Sequence, residues 1–426
     1  MTDPFRPGPA EAATQPADLA TSRVGWDFVL LYALAYMGTI LLFLAPLLVS
    51  LSLKVNSLVG IQQAPNSLSL VAGTGALLAL FANPFFGKLS DRTSSGLGMR
   101  RPWMVTGLVG GSLGVLVVAL APSIPVVLVG WCVAQVFFNA LLAALVAVLP
   151  DQVPVAQRGL VAGVLGVCLP VASVSGTFVV QLFTGDMLAM FLAPCGIGGL
   201  FVLLFVARLK DRRLGTAYKQ PWSLRELAGT FYVNPRRSPD FAWAFASRFL
   251  FVLAYAFLTT YQAYYLLESI GSPEAEVPRQ VFLGTLAMSV VIVVASLLGG
   301  VLSDRTGRRK VFVCTASLVF GLAMFVIAGA GTLNGFLVGM AVGGLGFGLY
   351  MAVDLALVAD VLPDEASAAK DLGVMNIAGA LPSSIAPAMA PAILAVSGGS
   401  YGVLYAVAGG CAVIGAVAVL PVKRVR

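Results

Sequence analysis

GVLSDRTGRR (Gly300 to Arg309) is a charged phrase in a long apolar sequence, and GKLSDRTSSGLGMRR (Gly87 to Arg101) is its relative half a chain length earlier. Each copy sets a glycine before Asp-Arg and then a pair of arginines: Gly87, Asp91, Arg92, Arg100 and Arg101 in the first, Gly300, Asp304, Arg305, Arg308 and Arg309 in the second. A second repeat follows each of them, ALVAVLPDQ (Ala144 to Gln152) and ALVADVLPDE (Ala356 to Glu365). Two motifs in the same order, half a length apart, point to two homologous halves. Parallel repeats of this kind are a transporter design, with the solute site between the halves near the midplane.

Composition fixes the medium in which these halves fold. Of 426 residues, 59% are hydrophobic and 11% charged, and the mean hydropathy is +0.93. That leaves too few polar groups to cover a water-soluble surface. The apolar runs are about twenty residues long, the length that crosses a bilayer. In hydrocarbon each backbone N–H and C=O must be paired within its own segment, so each run is expected to be a helix. Twelve spans are expected, near 26–50, 67–88, 102–121, 125–149, 159–182, 187–207, 241–267, 280–302, 311–330, 333–361, 372–396 and 400–421. The expected organisation is a tail over 1–25, a six-helix bundle over 26–207, a linker over 208–240, a second bundle over 241–421 and a tail over 422–426. The class is an all-α polytopic membrane protein.

Charge orients the chain. With both termini cytoplasmic, every Lys and Arg except Lys54, Arg248 and Arg279 falls on the cytoplasmic side, as the positive-inside rule requires. The net charge of +7 follows from that topology and gives no reason to expect nucleic acid. Residues 1–25 lack the apolar stretch of a signal peptide and read as a polar tail. The five cysteines lie in apolar runs without a CxxC pair and read as packing residues. There is no histidine, so a proton would have to travel on a carboxylate. No clustered acid/base set, nucleophile, metal-ligand group or GxxxxGK[ST] loop is present. Enzyme chemistry, an ATP site, a metal and a bound cofactor are therefore not expected.

In the repeated phrase the glycine is expected to permit close helix contact at the membrane edge. The aspartate sits at a helix end and needs a partner, either arginine or the N–H groups of a neighbouring helix start. Such a cluster can form in one conformation of a rocking bundle and break in another.

G-x-x-x-D-R-x-G-R-R between spans eight and nine resembles the loop signature of the major facilitator superfamily, whose members have twelve helices in two pseudo-symmetric halves. The stretched first copy, SDRTSSGLGMRRPW (Ser90 to Trp103), resembles the branch that holds sucrose transporters and glycoside–pentoside–hexuronide symporters. LPDQVPVAQRGLVAG (Leu149 to Gly163) and KDLGVMNIAGALPSSIAPA (Lys370 to Ala388) fit it too. The resemblance implies a secondary active transporter working by alternating access on a sugar or glycoside-like solute. The sodium-using symporters of that branch carry several membrane-embedded aspartates in the first half. This sequence has only Asp27 there, with Asn83 and Asn139 in spans two and four. Proton coupling through Asp354, with Asp27, or transport without a coupling ion is therefore expected in place of sodium coupling. Export of drugs or amphipathic metabolites is the alternative.

Polar groups deep in the spans mark candidate binding residues, because each is costly in hydrocarbon unless paired or wetted. On span seven, Arg248, Tyr255, Thr259 and Gln262 recur at helical spacing on one face. Gln135 and Asn139 share a face of span four; Tyr350 and Asp354 share one of span ten. Tyr32, Tyr36 and Asn376 complete the candidate solute site, supplying hydroxyl, amide and aromatic groups. At 1.5 Å per residue, Arg248 lies about 10 Å and Asp354 about 13 Å from the same membrane face, so the two are expected to pair. That pair reads either as a fixed lock within the second half or as a switch for a proton or solute. Asp27, at the edge of span one, reads as a helix-start carboxylate that contributes to coupling at most. Asp151 and Asp360 are expected to make gating contacts with Arg158 or Lys370. Asn83-Pro84 is expected to mark a kink, and Pro382, Pro387 and Pro391 to make span eleven irregular. Gly335, Gly339 and Gly343 are expected to bring span ten close to a neighbour. The expected assembly is a monomer in the plasma membrane, with lipid and a small solute as its partners.

Overall fold

The structure is a computed structural model that describes residues 23–211, 238–361 and 368–422. Twelve helices long and apolar enough to span a membrane account for most of it, and no strand occurs among the described residues. The first six are α1 (Trp26–Val59), α2 (Ala64–Asp91), α3 (Arg101–Leu120), α4 (Ile124–Gln152), α5 (Val155–Leu182) and α6 (Met187–Arg208). After residues 212–237 come α7 (Pro239–Glu268), α8 (Val277–Thr306), α9 (Arg309–Ala328) and α10 (Leu333–Val361). Then follow α11, in two segments, Ala368–Ala380 and Pro382–Val396, and α12 (Tyr401–Ala418). The tail over 1–22, the loop over 212–237, and residues 362–367 and 423–426 lie outside the described residues.

Large apolar side chains such as Leu120, Leu200, Leu297 and Leu322 point outward and stay exposed. In a soluble protein such a surface would aggregate; here it is the face that meets lipid. The interior is sealed by Trp131, Phe138, Phe205, Phe251, Tyr264 and Tyr405, all fully buried.

The end of span one differs from expectation. Span one does not stop near residue 50. Pro46, which has no N–H to donate, begins a π-helical turn over Pro46–Ser50, after which the helix continues to Val59. Lys54, expected in an outer loop, is therefore buried in this extension and donates to the Ala119 carbonyl at 2.9 Å. Span eleven is broken at Leu381 and resumes at Pro382, as its prolines led one to expect. The helix of span two, in contrast, runs continuously through Pro84.

Of the expected glycines on α10, Gly339 and Gly343 pack against α9, where a Cβ on Gly339 would lie 2.4 Å from Ile327 Cγ1. A second stripe one residue on packs against α8. A Cβ on Gly344 would sit 2.4 Å from the Met288 carbonyl, and one on Gly348 would sit 2.6 Å from that of Ile292. These two glycines let α8 and α10 touch backbone to backbone.

The halves meet at the end of the bundle remote from the termini. Tyr264 donates to the Ser52 carbonyl at 3.0 Å and the Asn56 amide to Glu274 at 3.4 Å. The rings of Phe178 and Phe282 lie 5.5 Å apart. At the other end, Gly159, Gly163 and Gly166 on α5, Gly300 on α8 and Gly373 on α11 each face open space. Gly87 has only Ala143 near, at 4.0 Å. The close helix contact expected at Gly87 and Gly300 is therefore not made in this conformation.

Candidate functional site

One face of α7 organises the interior of the second half. Arg248 reaches across to α10 and its Nη1 lies 2.8 Å from Asp354 Oδ2. The Tyr350 hydroxyl, one turn earlier on α10, donates to the same carboxylate. Phe251 stacks on Tyr350 with centroids 3.8 Å apart and planes 7° from parallel, closing the apolar side of the pair. Gly379 of α11 gives the guanidinium its floor, since a Cβ there would lie 3.3 Å from Nη2. Asp354 is 8% exposed and Arg248 19%, and Arg248 Nε has no hydrogen-bond partner. A charge pair at this depth is tolerable only while both members are present.

Farther along that face, Tyr255, Thr259 and Gln262 line a cavity of about 320 Å³ between the halves. Ser173 of α5 and Thr285, Ser289 and Ser296 of α8 line it too. Thr259 donates to the Tyr255 carbonyl at 3.1 Å, which leaves its oxygen free to accept. Gln262 is 1% exposed, and its Oε1 has no hydrogen-bond partner. A buried carbonyl without a donor is costly and suits a site that awaits a hydroxyl or N–H from a ligand. The four residues on α5 and α8 were missed from sequence. Thr285, Ser289 and Ser296 recur at helical spacing, a signal available in the sequence but masked by the surrounding apolar residues.

The remaining candidate solute residues are dispersed. Tyr32 leaves the set: it is fully buried, stacks on Phe205 and donates to the Leu145 carbonyl at 3.1 Å, pinning α1 to α4. Gln135 and Asn139 join Asn83 in a chain of amides. Asn83 Nδ2 donates to Asn139 Oδ1 at 3.3 Å, and Asn139 Nδ2 to the Gln135 carbonyl at 2.8 Å. Tyr36 is half-buried on α1, and Asn376 is exposed on α11. Asp27 is exposed in the first turn of α1, a solvated position that offers no route into the bundle.

The first repeated phrase is folded around Arg100. Its guanidinium meets Asp91 at 2.5 Å and Asp151 at 2.8 Å and also donates to the Ser90 hydroxyl, so one cation ties the ends of α2 and α4 to the start of α3. Asp211, after α6, accepts the backbone N–H groups of Arg100 and Arg101 at 2.7 and 2.8 Å, a carboxylate cap on a helix N-terminus. Asp151 thus pairs with Arg100 and not with Arg158, which instead donates to the carbonyls of Val153 and Pro150. The reason is reach: Arg158 curls back onto its own turn. Arg92 lies at the end of α2. In the second copy Gly307 ends α8 with φ +64°, a conformation that suits glycine. Arg305 and Arg308 are exposed there and Arg309 opens α9. Lys310 donates to the carbonyls of Leu420 and Val422, past the end of α12. The side chains of Asp304, Asp360 and Lys370 lie outside the described residues.

No curated protein matches the sequence. Among solved structures, a nucleoside transporter, NupG, superposes with TM-score 0.73 at 13% identity, covering 93% of this chain and 99% of that one. A bacterial homologue of the human lysosomal transporter Spinster, inward-facing and unoccupied, gives 0.62 at 15% identity over 93% and 94%. A peptide transporter, POT, with alafosfalin bound gives 0.69 at 14% identity over 93% and 92%. At these identities the likeness is one of fold. The family model for the Major Facilitator Superfamily matches residues 28–293 and 278–426. Matched over nearly its whole length and built of twelve apolar helices, the chain belongs to the Major Facilitator Superfamily and is a membrane transporter, not an enzyme.

Proposed function

We propose that this transporter carries a glycoside-like solute, a sugar or a compound with a sugar ring, together with a proton. The observation that carries the reading is Gln262. Gln262 lines a cavity shared with Tyr255, Thr259 and four further side-chain hydroxyls, and its buried Oε1 has no hydrogen-bond partner. A sugar ring presents hydroxyls in several directions and needs such a mixed set of acceptors and donors. The stretched Ser90–Trp103 loop supports the same class by its resemblance to glycoside symporters, and nucleosides, like glycosides, contain a sugar ring.

Arg248 and Asp354 are the proposed coupling device, Arg248 standing on the helix that also carries Gln262. Protonation of Asp354 removes the attraction that holds Arg248, and the guanidinium then favours a rearrangement of α7 against α10 and α11. The Arg100 cluster at the ends of α2, α3 and α4 is the proposed gate, stable with one arrangement of the halves and opened in the other. With both termini cytoplasmic, the end closed by Tyr264, Asn56 and Phe178 faces outward and the conformation is inward-facing. The protein is proposed to act as a monomer in the plasma membrane.

Met288, Met340, Phe347 and Met351 complete the cavity and favour a second reading, export of an amphipathic metabolite. One proteoliposome experiment separates the two. Internal pH is followed as mono- and disaccharides and uridine are added outside, with Asp354→Asn in parallel. Solute-dependent internal acidification that the variant loses, while it keeps solute exchange, is the expected result. Silence across the panel, with transport of amphipathic compounds intact, would replace uptake of a glycoside by export.

A further inference from the structure

The cavity that Gln262 lines has an apolar neighbour. Pro170 on α5 and Ser289 and Val293 on α8 line it and also line a second cavity, of about 380 Å³, between α5 and α8. The second cavity is walled by Val174 and Phe178 on one side and Phe282 and Val290 on the other. Besides Ser289, its one polar side chain is Ser175, whose hydroxyl donates to its own helix at the Val171 carbonyl, 2.8 Å away. Phe178 and Val290 are exposed on the lipid-facing side. The two spaces therefore adjoin at Pro170, Ser289 and Val293, the first polar against α7 and the second apolar between α5 and α8.

The junction has a chemistry of its own. Pro170 has no N–H, so the Gly166 carbonyl, which belongs to the polar cavity, lacks its helical donor. Ser289 adds a hydroxyl at the same place. Pro170 and Ser289 both lie near the middle of their helices, roughly 20 Å from either end at 1.5 Å per residue.

We propose that the solute is amphipathic: its sugar ring sits at Tyr255, Thr259 and Gln262, and an alkyl or aryl aglycone of a few carbons lies across the Pro170–Ser289 junction in the α5–α8 groove. This deepens the glycoside reading and rests on it. Adjacency argues for the solute's own tail as occupant, because the groove and the cavity that Gln262 lines share Pro170, Ser289 and Val293. A bilayer acyl chain in the groove would leave Gln262 Oε1 and the Gly166 carbonyl without donors.

The test uses the full chain in nanodiscs and has two arms. Methyl β-glucoside, β-galactoside, β-xyloside and uridine are first compared for binding. Ethyl, propyl, butyl and pentyl glycosides are then built on the sugar that binds. The expected result is affinity rising about fourfold per added carbon, the ~0.8 kcal/mol of a buried CH2. Val174→Trp and Val290→Trp fill the groove from opposite walls without touching the polar cavity. Each is expected to flatten the series while leaving the methyl glycoside's affinity unchanged, and either one suffices if the other misfolds. A flat series in the unaltered protein, with the methyl glycoside bound, overturns the aglycone site and leaves the glycoside reading standing. A rise that survives both tryptophans reports partition into surrounding lipid and overturns it as well. Failure of every sugar at every chain length removes both readings together.

Discussion

Arg248 and Asp354 show how far single residues can be read from sequence. Their depth follows from counting helical rises, and two opposite charges at one depth in hydrocarbon have little choice but to meet, as they do at 2.8 Å. Their burial differs, which gives the pair a direction. Arg248→Met strands the more buried carboxylate, and Asp354→Asn strands a guanidinium that keeps some access to water. The first is expected to cost about 3–5 kcal/mol of stability and the second less, measured as thermal unfolding in detergent. The exchange Arg248→Asp with Asp354→Arg restores most of the loss; additive losses would show that the two do not act as a pair. Gln262 carries the opposite sign. Its Oε1 is buried without a hydrogen-bond partner, so Gln262→Leu should raise stability by about 1 kcal/mol and weaken solute binding about tenfold. A variant that is destabilised with unchanged affinity would make Gln262 a packing residue. Tyr32 marks the limit of such reading. A tyrosine facing a solute and one pinning two helices have the same sequence signature, and only the Leu145 carbonyl at 3.1 Å tells them apart.

At the scale of the helix, hydrophobicity disclosed the number and order of the spans, since hydrocarbon admits no other backbone solution. Their ends were less legible, because proline acts through geometry that hydropathy does not register. Pro46 extends α1 through a π turn and Pro382 divides α11. Contact registers were legible only in part. Gly339 and Gly343, of the expected stripe, face α9, while Gly344 and Gly348, also four apart, make the backbone contacts with α8. A periodic glycine pattern does not say which neighbour a stripe faces, nor that an adjacent stripe faces another. Gly348→Val would force its side chain into the Ile292 carbonyl. Overpacking of this kind costs about 1–3 kcal/mol, and because Ile292 and Ser289 line the cavity, solute affinity should fall with it. Gly300→Val, at an open position on the partner helix α8, should leave stability unchanged. Equal effects of the two substitutions would refute the backbone contact as the cause.

For the whole molecule, the repeated phrase revealed two halves because each half needs its own loop cluster. The sequence cannot reveal which end of the bundle is closed, since one sequence serves both conformations and only their relative free energy separates them. The structure has the halves joined at the end remote from the termini, through Tyr264 with Ser52, Asn56 with Glu274 and Phe178 with Phe282. Transport by alternating access requires these contacts to break in every cycle. Two cysteines at 56 and 274 test this directly. The side-chain tips there lie 3.4 Å apart, which leaves a gap between two shorter cysteines. A short bis-methanethiosulfonate is therefore used, which forms a reducible disulfide with each thiol and releases methanesulfinate. In a background with the five native cysteines replaced by alanine or serine, crosslinking Asn56→Cys to Glu274→Cys should stop solute uptake, and reductant should restore it. Solute binding from the terminus-bearing side should persist in the locked protein, because Gln262 and its cavity are already formed while the far end is shut. Uptake that continues through the crosslink would mean that this end never opens, and the site would then have to fill and empty by another route.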